Sequence, residues 1–276
     1  MNSIGELLSW AITQLNDDQA NTDAQALLAH ITGHDRSWLF AWPEKTLDSA
    51  SVDSYKSLIQ QRAAGKPVAY LTGTRGFWTL DLTVSPDTLI PRPESEHLVE
   101  RVLKIGNDDQ AFHVLDLGTG SGAIALAIAR ERPHWQVTAV DFSQAALKIA
   151  EQNAISHNIR NVNFLHSDWF KQVTGSFDLI VSNPPYIAEK DRHLCQGDLR
   201  FEPRNALASG LDGLDDIRLI CEQAFNYLKP GAWLIFEHGL NQGQRCRDLL
   251  NKKKYQHVFT ERDLAGLDRI SGGQNK

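Results

Sequence analysis

A chain of 276 residues that is 42% hydrophobic and 22% charged can bury one large core, or a large and a small one. Its formal net charge of −6 and pI of about 5.9 disfavour a protein that lives on nucleic-acid backbones, because phosphate contacts need clustered Lys and Arg. Glu6 interrupts the first apolar stretch, no basic region precedes it, and no apolar run reaches bilayer length, so neither a signal peptide nor a membrane span is expected.

In chain order, Ile4, Leu7, Leu8, Ala11, Ile12 and Leu15 recur at helical spacing and predict a first amphipathic helix. A second, Asp23 to Ile31, turns Ala24, Leu27, Leu28 and Ile31 inward and stops at Gly33. Trp38 to Trp42 are expected to pack beneath a short third helix. Val52, Tyr55, Leu58, Ile59 and Arg62 mark a fourth, ended by Gly65 and Pro67. Residues 1–73 therefore read as a small helical domain. Residues 74–93 read as a connector. Phe77 to Val84 alternates like a strand and suggests a hairpin, and two prolines around Arg92 stiffen TLIPRPESE. Glu94 or Ser95 can then start a helix through Leu98, Val99, Val102 and Leu103.

Residues 94–276 read as an α/β domain. Strands are expected at His113–Leu117, Gln136–Asp141, Asn163–His166, Asp178–Ser182 and Ala232–His238. Helices are expected near Gly122–Glu131, Ser143–Ser156, Leu214–Leu228 and Gln244–Asn251. Such alternation implies a parallel sheet covered on both faces. His257–Thr260 and Leu267–Ile270 offer a last strand pair. The cysteines, Cys195, Cys221 and Cys246, are odd in number and scattered, which argues against disulfides and against a zinc site. No metal is expected, and a reducing cytoplasm is the simple reading.

Leu115-Asp116-Leu117-Gly118-Thr119-Gly120-Ser121-Gly122 follows an apolar strand and opens an Ala- and Ile-rich helix. Glycines let the backbone turn tightly and approach a ligand closely, and the helix N-terminus presents free N–H groups. Asp141 closes the next strand, near the ~20-residue offset at which a carboxylate accepts ribose hydroxyls. Gly118, Gly120 and Ala123 also satisfy the dinucleotide fingerprint, so the loop alone leaves a nicotinamide or flavin enzyme open. Asp116 suits a cationic ligand better than a pyrophosphate, which favours S-adenosylmethionine. Asp168 and Trp169, ending the third strand, are placed to meet an adenine, although plain core packing would also explain Trp169.

Asn183-Pro184-Pro185-Tyr186 follows the apolar strand FDLIVS and is the sharpest signal in the chain. Strand carboxyl ends of an open α/β sheet form the ligand crevice, so the tetrad belongs beside the glycine loop. An ordinary strand-ending turn is the plainer reading of Asn and Pro there. Chemistry favours the other. An amide nitrogen is a poor nucleophile because its lone pair is delocalised into the carbonyl. Two acceptors on its hydrogens hold it and leave it more electron-rich, and the Asn183 side-chain oxygen and the Pro184 carbonyl can be those acceptors. Pro184 and Pro185 stiffen the loop, and Tyr186 can stack on a flat target group.

DLGTGSG, Asp141, SDWF and NPPY in this order resemble the release-factor glutamine N5-methyltransferase family (PrmC, also called HemK). LIPRPESE, RFEPRNAL at Arg200–Leu207 and EHG at Glu237–Gly239 extend the resemblance over nearly the whole chain. NPPY alone is shared with adenine-N6 and cytosine-N4 DNA methyltransferases; IPRPESE and RFEP narrow the choice. The resemblance implies a class I S-adenosylmethionine-dependent methyltransferase. Its fold would be a Rossmann-like seven-stranded sheet with a C-terminal antiparallel hairpin and a small N-terminal helical, substrate-recognising domain. It implies methyl transfer to the Gln of the GGQ motif in class I peptide chain release factors. Composition and charge add the expectation of a cytoplasmic monomer with no direct nucleic-acid substrate and no membrane. The resemblance implies that Gly118, Thr119, Gly120, Ser121, Gly122, Asp141, Asp168, Trp169 and Asn183 contact the cofactor. Asn183, Pro184, Pro185 and Tyr186 would form the substrate-glutamine pocket, with Asn183, Pro184 and Tyr186 catalytic. Glu94-Ser95 stands where relatives often have Glu or Asp followed by Thr. Ser271-Gly272-Gly273-Gln274 reads like the substrate motif itself, and coincidence in a flexible tail is the expectation. Three rivals remain: a DNA adenine methyltransferase, which would want a basic recognition region; a nicotinamide-dependent oxidoreductase, which gives NPPY no task; and a non-catalytic module, against which Asn183 and Tyr186 count.

Overall fold

A capping box starts the first helix. Ser3 Oγ accepts from the Glu6 N–H at 3.4 Å, and Glu6 Oε2 accepts from the Ser3 N–H at 3.2 Å. The computed structural model describes residues 2–106 and 111–276, in two units, Met1–Thr74 and Arg75–Lys276.

In the first unit, α1 (Ile4–Leu15) packs Ile4, Leu7 and Ala11 against α2 (Ala20–Thr32) and α4 (Ser49–Ala63). The Tyr55 hydroxyl donates to the Ala24 carbonyl at 3.0 Å, and Arg62 Nε donates to Asp23 at 2.7 Å, so α4 is tied to α2 at both depths. Trp38 to Trp42 do not pack beneath a helix as expected. Most of that stretch is the helix, α3 (Arg36–Ala41), because Asp35 caps it by accepting from the Trp38 N–H at 2.8 Å. Only Leu39 turns fully inward; Phe40 is 64% and Trp42 51% exposed. A short α5 (Val68–Thr72) follows Pro67. Five residues carry too little periodicity for the sequence to have shown it.

The second unit begins with a hairpin, β1 (Thr74–Phe77) and β2 (Leu80–Thr83). Phe77–Val84 is thus not one strand but a turn and its return. Trp78 makes the turn with φ of 57°, a conformation that costs a side-chain-bearing residue about 1–2 kcal/mol. Two bonds offset it: the Trp78 backbone N–H donates to Glu96 and its indole N–H to Glu131, both at 2.8 Å. A 3₁₀ turn at Pro93–Ser95 then leads into α6 (Glu96–Leu103).

Five parallel strands follow: β3 (His113–Leu117), β4 (Gln136–Asp141), β5 (Val162–His166), β6 (Phe177–Ser182) and β7 (Leu228–Glu237). Between them run α7 (Ala123–Glu131), α8 (Gln144–Ser156) and α9 (Asp215–Gln223), and after them α10 (Gly243–Lys252). The helix expected over Leu214–Leu228 stops at Gln223; a 3₁₀ turn, Ala224–Asn226, lets the chain enter β7 at Leu228. The closing strands β8 (Gln256–Arg262) and β9 (Asp268–Gln274) are antiparallel to each other, and β9 is antiparallel to β7. The sheet order is β5-β4-β3-β6-β7-β9-β8. Along β3, Val114 faces the core beneath α6 and α7, while Leu115 and Leu117 face the core beneath α9 and α10. Both faces are buried, which is why these strands read as apolar runs. Strand order reverses at the β3–β6 junction, so the carboxyl ends of those two strands open the crevice.

SGGQ is not a flexible tail. Ser271, Gly272 and Gly273 are buried in β9, between β7 and β8. A Cβ on Gly272 would stand 2.7 Å from the Leu234 carbonyl and 2.8 Å from the Phe259 ring, and one on Gly273 2.8 Å from Tyr255. Close packing demands glycine at both positions, and the likeness to a substrate motif is structural coincidence. No described helix is long and apolar enough to cross a membrane.

Candidate active site

The glycine loop hangs between β3 and α7. Gly118, Gly120 and Gly122 have φ of 72°, 58° and 86°, so the loop needs three left-handed residues within five. Its underside is pinned by two carboxylates. Asp116 is wholly buried and accepts from the Thr119 hydroxyl at 2.6 Å through Oδ2. Its Oδ1 is buried and has no hydrogen-bond partner among the described residues. Burial, with the nearby Asp141 carboxylate adding to it, pushes the Asp116 carboxyl up to about 7. Asp141 accepts from the Gly120 N–H and the Ser143 N–H, both at 2.8 Å, and burial raises its carboxyl too. Asp141 lines the cavity above, so a cationic ligand there would meet a carboxylate, whereas Asp116 lies beneath the loop and outside the cavity.

A cavity of about 480 Å³ opens above, within the range of small-molecule sites. Gly118, Gly120, Asp141, Asp168, Trp169, Asn183 and Pro185 all line it. Thr119 and Ser121 line only a smaller recess of about 50 Å³, and Gly122 lines none of these cavities. Thr119 serves the loop through Asp116, and the Ser121 carbonyl accepts from Asn153 at 2.9 Å. Trp169, with φ of 50°, lies across the loop close to Gly118. Asp168 is paired with Lys171 at 2.7 Å while it faces the cavity. Phe142, Asp216 and Pro86–Asp87, which no motif marks, also line the cavity, as do Thr88 and Leu89 of TLIPRPESE and Asn205 and Ala206 of RFEPRNAL. Phe142, directly after Asp141, is 64% exposed, an aromatic that the core does not claim. The Asp216 backbone N–H donates to Ser209 Oγ at 2.8 Å.

A second recess of about 170 Å³ adjoins the first and is lined by Leu89, Arg92, Pro184, Tyr186, Ile187 and Leu199, among others. Asn183 lines both, and the small recess as well. It stands where the compartments meet. Its Nδ2 donates to Ser95 Oγ at 2.9 Å; its Oδ1 and the Pro184 carbonyl have no hydrogen-bond partner among the described residues. Ser95 Oγ in turn donates to Glu237 Oε2 at 2.6 Å, and the Tyr186 hydroxyl donates to Glu237 Oε1 at 3.1 Å. Glu237 is buried, and desolvation raises its carboxyl while these two bonds and Arg269 pull it back. Tyr186 is anchored through its hydroxyl and through its carbonyl, which accepts from Gln242 at 2.9 Å, so it is a fixed wall of the recess rather than a mobile plate. Ile187 pairs with the chain at Leu207 and Ser209, which seats RFEPRNAL beside NPPY. Glu202 joins LIPRPESE to RFEP: it accepts from the Ile90 N–H at 3.0 Å and from Arg92.

Known proteins resemble this chain throughout. The family model "Methyltransferase small domain" matches residues 94–209, and "PrmC N-terminal domain" matches residues 6–73. A release factor glutamine methyltransferase of Xylella fastidiosa is 52% identical over 95% of this chain and 96% of its own. One of Coxiella burnetii is 48% identical over 90% of this chain and 89% of its own. Among solved structures, a Pyrococcus furiosus methyltransferase aligns with a TM-score of 0.54 at 20% identity, over 79% of this chain and 96% of that one. A 16S rRNA N2 G1207 methyltransferase of T. thermophilus, in complex with AdoMet and guanosine, aligns with a TM-score of 0.54 at 19% identity, over 74% of this chain and 50% of that one. These two likenesses concern the fold.

Proposed function

This chain belongs to the release factor glutamine methyltransferase family, and from that premise we propose how its crevice transfers a methyl group to the side-chain amide nitrogen of the GGQ glutamine in class I peptide chain release factors. The observation that carries the reading is the pair of unpartnered acceptors, Asn183 Oδ1 and the Pro184 carbonyl: Asn183 lines both larger cavities and Pro184 the second. S-adenosylmethionine supplies an electrophilic methyl group on a sulfonium. Gly118, Gly120, Asp141, Asp168 and Trp169 would hold it in the larger cavity, where the Asp141 carboxylate suits a cation, while Thr119, Ser121 and Gly122 would shape the loop around it. Asn183 and Pro184 accept the two amide hydrogens of the target, orient its nitrogen and enrich its lone pair. Tyr186, Ile187 and Leu199 exclude water from the recess. The surplus proton leaves after transfer, since an N-protonated amide is strongly acidic. The residues mainly align and pre-polarise the reactants.

Neither the nitrogen-holding tetrad nor one glutamine side chain can select a partner, because glutamine is abundant. The helical unit Met1–Thr74 is assigned to recognition of the release factor, over an area of about 1,200–2,000 Å². The enzyme acts as a cytoplasmic monomer, with no nucleic-acid substrate. A side-by-side methylation assay with intact release factor, a short GGQ peptide and duplex DNA tests this. The intact factor is expected to be methylated efficiently, the peptide poorly and DNA not at all. A chain beginning at Arg75 should bind cofactor and lose most activity on the intact factor. Methylated adenine in DNA would overturn the reading; full activity of the shortened chain would reduce the helical unit to a cap.

A further inference from the structure

Asn183 can serve as an acceptor for the substrate only if its side-chain amide faces one way. Rotated by half a turn, it would present its NH₂ to the target nitrogen and repel it. Nothing in NPPY itself sets that orientation, and the two faces of an amide differ little in shape. The setting must come from whatever touches Asn183 on the other side, and that is Ser95.

A hydroxyl has one hydrogen to donate. Ser95 spends it on Glu237 Oε2, at 2.6 Å. Its oxygen can then only accept, so Asn183 must offer Nδ2 and leave Oδ1 to the crevice. Glu237 dictates this because a carboxylate only accepts: it takes the Ser95 hydroxyl on one oxygen and the Tyr186 hydroxyl on the other. Glu237 is buried at the carboxyl end of β7, with Arg269 as its cationic neighbour and Glu94 opposing it. A buried carboxylate costs stability unless bonded in this way, and a shape-filling residue would have packed there more simply. We propose that Glu237 and Ser95 are positioning residues for methyl transfer, fixing the amide orientation of Asn183 by passing the one-way polarity of a carboxylate through a hydroxyl. Tyr186 is locked by the same carboxylate, so both ends of NPPY answer to one buried group. Glu237→Gln would reverse the logic with almost no change of shape. Its NH₂ can donate to Ser95 Oγ, which frees the serine hydrogen to turn on Asn183 and flip the amide.

The inference rests on the activity proposed above, and the test separates the two. Single-turnover rates at saturating cofactor and intact release factor are measured for the wild type, Glu237→Gln, Ser95→Ala, Ser95→Thr, Asn183→Ala and the Ser95→Ala/Asn183→Ala double variant. The wild-type rate alone judges the activity; ratios among the variants judge the positioning. Glu237→Gln and Ser95→Ala are expected to lose about 10- to 100-fold in rate, with cofactor affinity and release-factor KM within about two-fold of wild type. Ser95→Thr, which keeps the hydroxyl, should recover to within about two-fold. In the Asn183→Ala background Ser95→Ala should cost nothing further, since a residue that acts through Asn183 has no target left. Independently of turnover, the Asn183 side-chain amide protons should be protected from solvent exchange in the wild type and lose that protection in Ser95→Ala. Additive losses in the double variant, or a normal rate with unchanged amide protection in Ser95→Ala, would overturn the proposal. A Glu237→Gln chain that fails to fold leaves the serine series to decide it.

Discussion

The two halves of the crevice are built by different means. The glycine-loop half is held together locally: Thr119 bonds Asp116 three positions away, Ser143 bonds Asp141 two away, and Gly120 reaches Asp141 across 21. The NPPY half is held by partners far along the chain. Asn183 meets Ser95 across 88 residues, Tyr186 meets Glu237 across 51, and Ser95 meets Glu237 across 142. A cofactor site can rest on backbone conformation because many enzymes bind the same cofactor. A site that must orient one weak nucleophile needs an outside reference for its side chains, and here the neighbouring strand and the segment before α6 supply it. The halves differ in charge as well: one stores two raised carboxyls at the glycine loop, the other a single buried carboxyl that accepts from two hydroxyls and two open acceptors that face the crevice.

The largest expected effect probes that store of charge. The Asp116 carboxyl sits at about 7 in the fold against 3.8 for an ordinary aspartate. A raised carboxyl favours the protonated fold, so its stabilising contribution is complete below the ordinary value and is lost as pH rises through about 7. Three pH units correspond to at most about 4 kcal/mol. Urea unfolding of the cofactor-free chain should therefore show stability falling from about pH 4 to 7 through this group, and Asp116→Asn should remove much of that slope. An unchanged slope would mean that the loop does not sit on a strained carboxyl.

Next comes Asn183→Ala, which should lower single-turnover rate roughly 10²-fold or more while the melting temperature and most cofactor affinity survive, because Asn183 lies on the crevice wall and outside the packed core. A matching loss of cofactor binding would erase the proposed division between the halves. Asp141→Ala should do the opposite: it should weaken S-adenosylmethionine binding by about 1–3 kcal/mol in calorimetry, and its effect on the rate should vanish at saturating cofactor. Tight NAD binding by the wild type would contradict the cofactor half altogether.

That difference in construction also decides what the sequence could reveal. The loop, Asp141 and the SDWF turn were readable because each is short and each follows an apolar strand whose period is plain. NPPY was readable as a motif, and Asn183, Pro184 and Tyr186 do come together around one recess. Its supports were not readable. Ser95 looked like a helix start and Glu237 like part of a family signature, and no spacing rule links residues 142 apart. Phe142 and Asp216 were missed for the same reason: neither belongs to a periodic or glycine-rich pattern. In the helical unit the apolar faces of α1, α2 and α4 were plain, whereas Trp42 misled because an aromatic is expected inside and this one is half exposed. SGGQ misled in the other direction: terminal, polar and glycine-rich, it has the composition of a tail, yet β7 and β8 enclose it.

The smallest expected effect is one of pH on the chemistry. Burial and Glu237 raise the Tyr186 phenol above its ordinary range, and burial lowers His238, so both stay neutral from about pH 7.5 to 9. Asn183 and the Pro184 carbonyl do not titrate. The single-turnover rate at saturating cofactor should vary by less than about two-fold across that interval. A single-proton slope within it would reveal a general base in the NPPY half.

The proposed function turns on one atom receiving the methyl group, and mass-spectrometric mapping reads it directly. Intact release factor incubated with S-adenosylmethionine and the wild-type chain should gain one methyl group, on the side-chain nitrogen of the GGQ glutamine, and should gain none at that site when the cofactor is omitted. A methyl group found on any other residue, with the GGQ glutamine left unmodified, would contradict it.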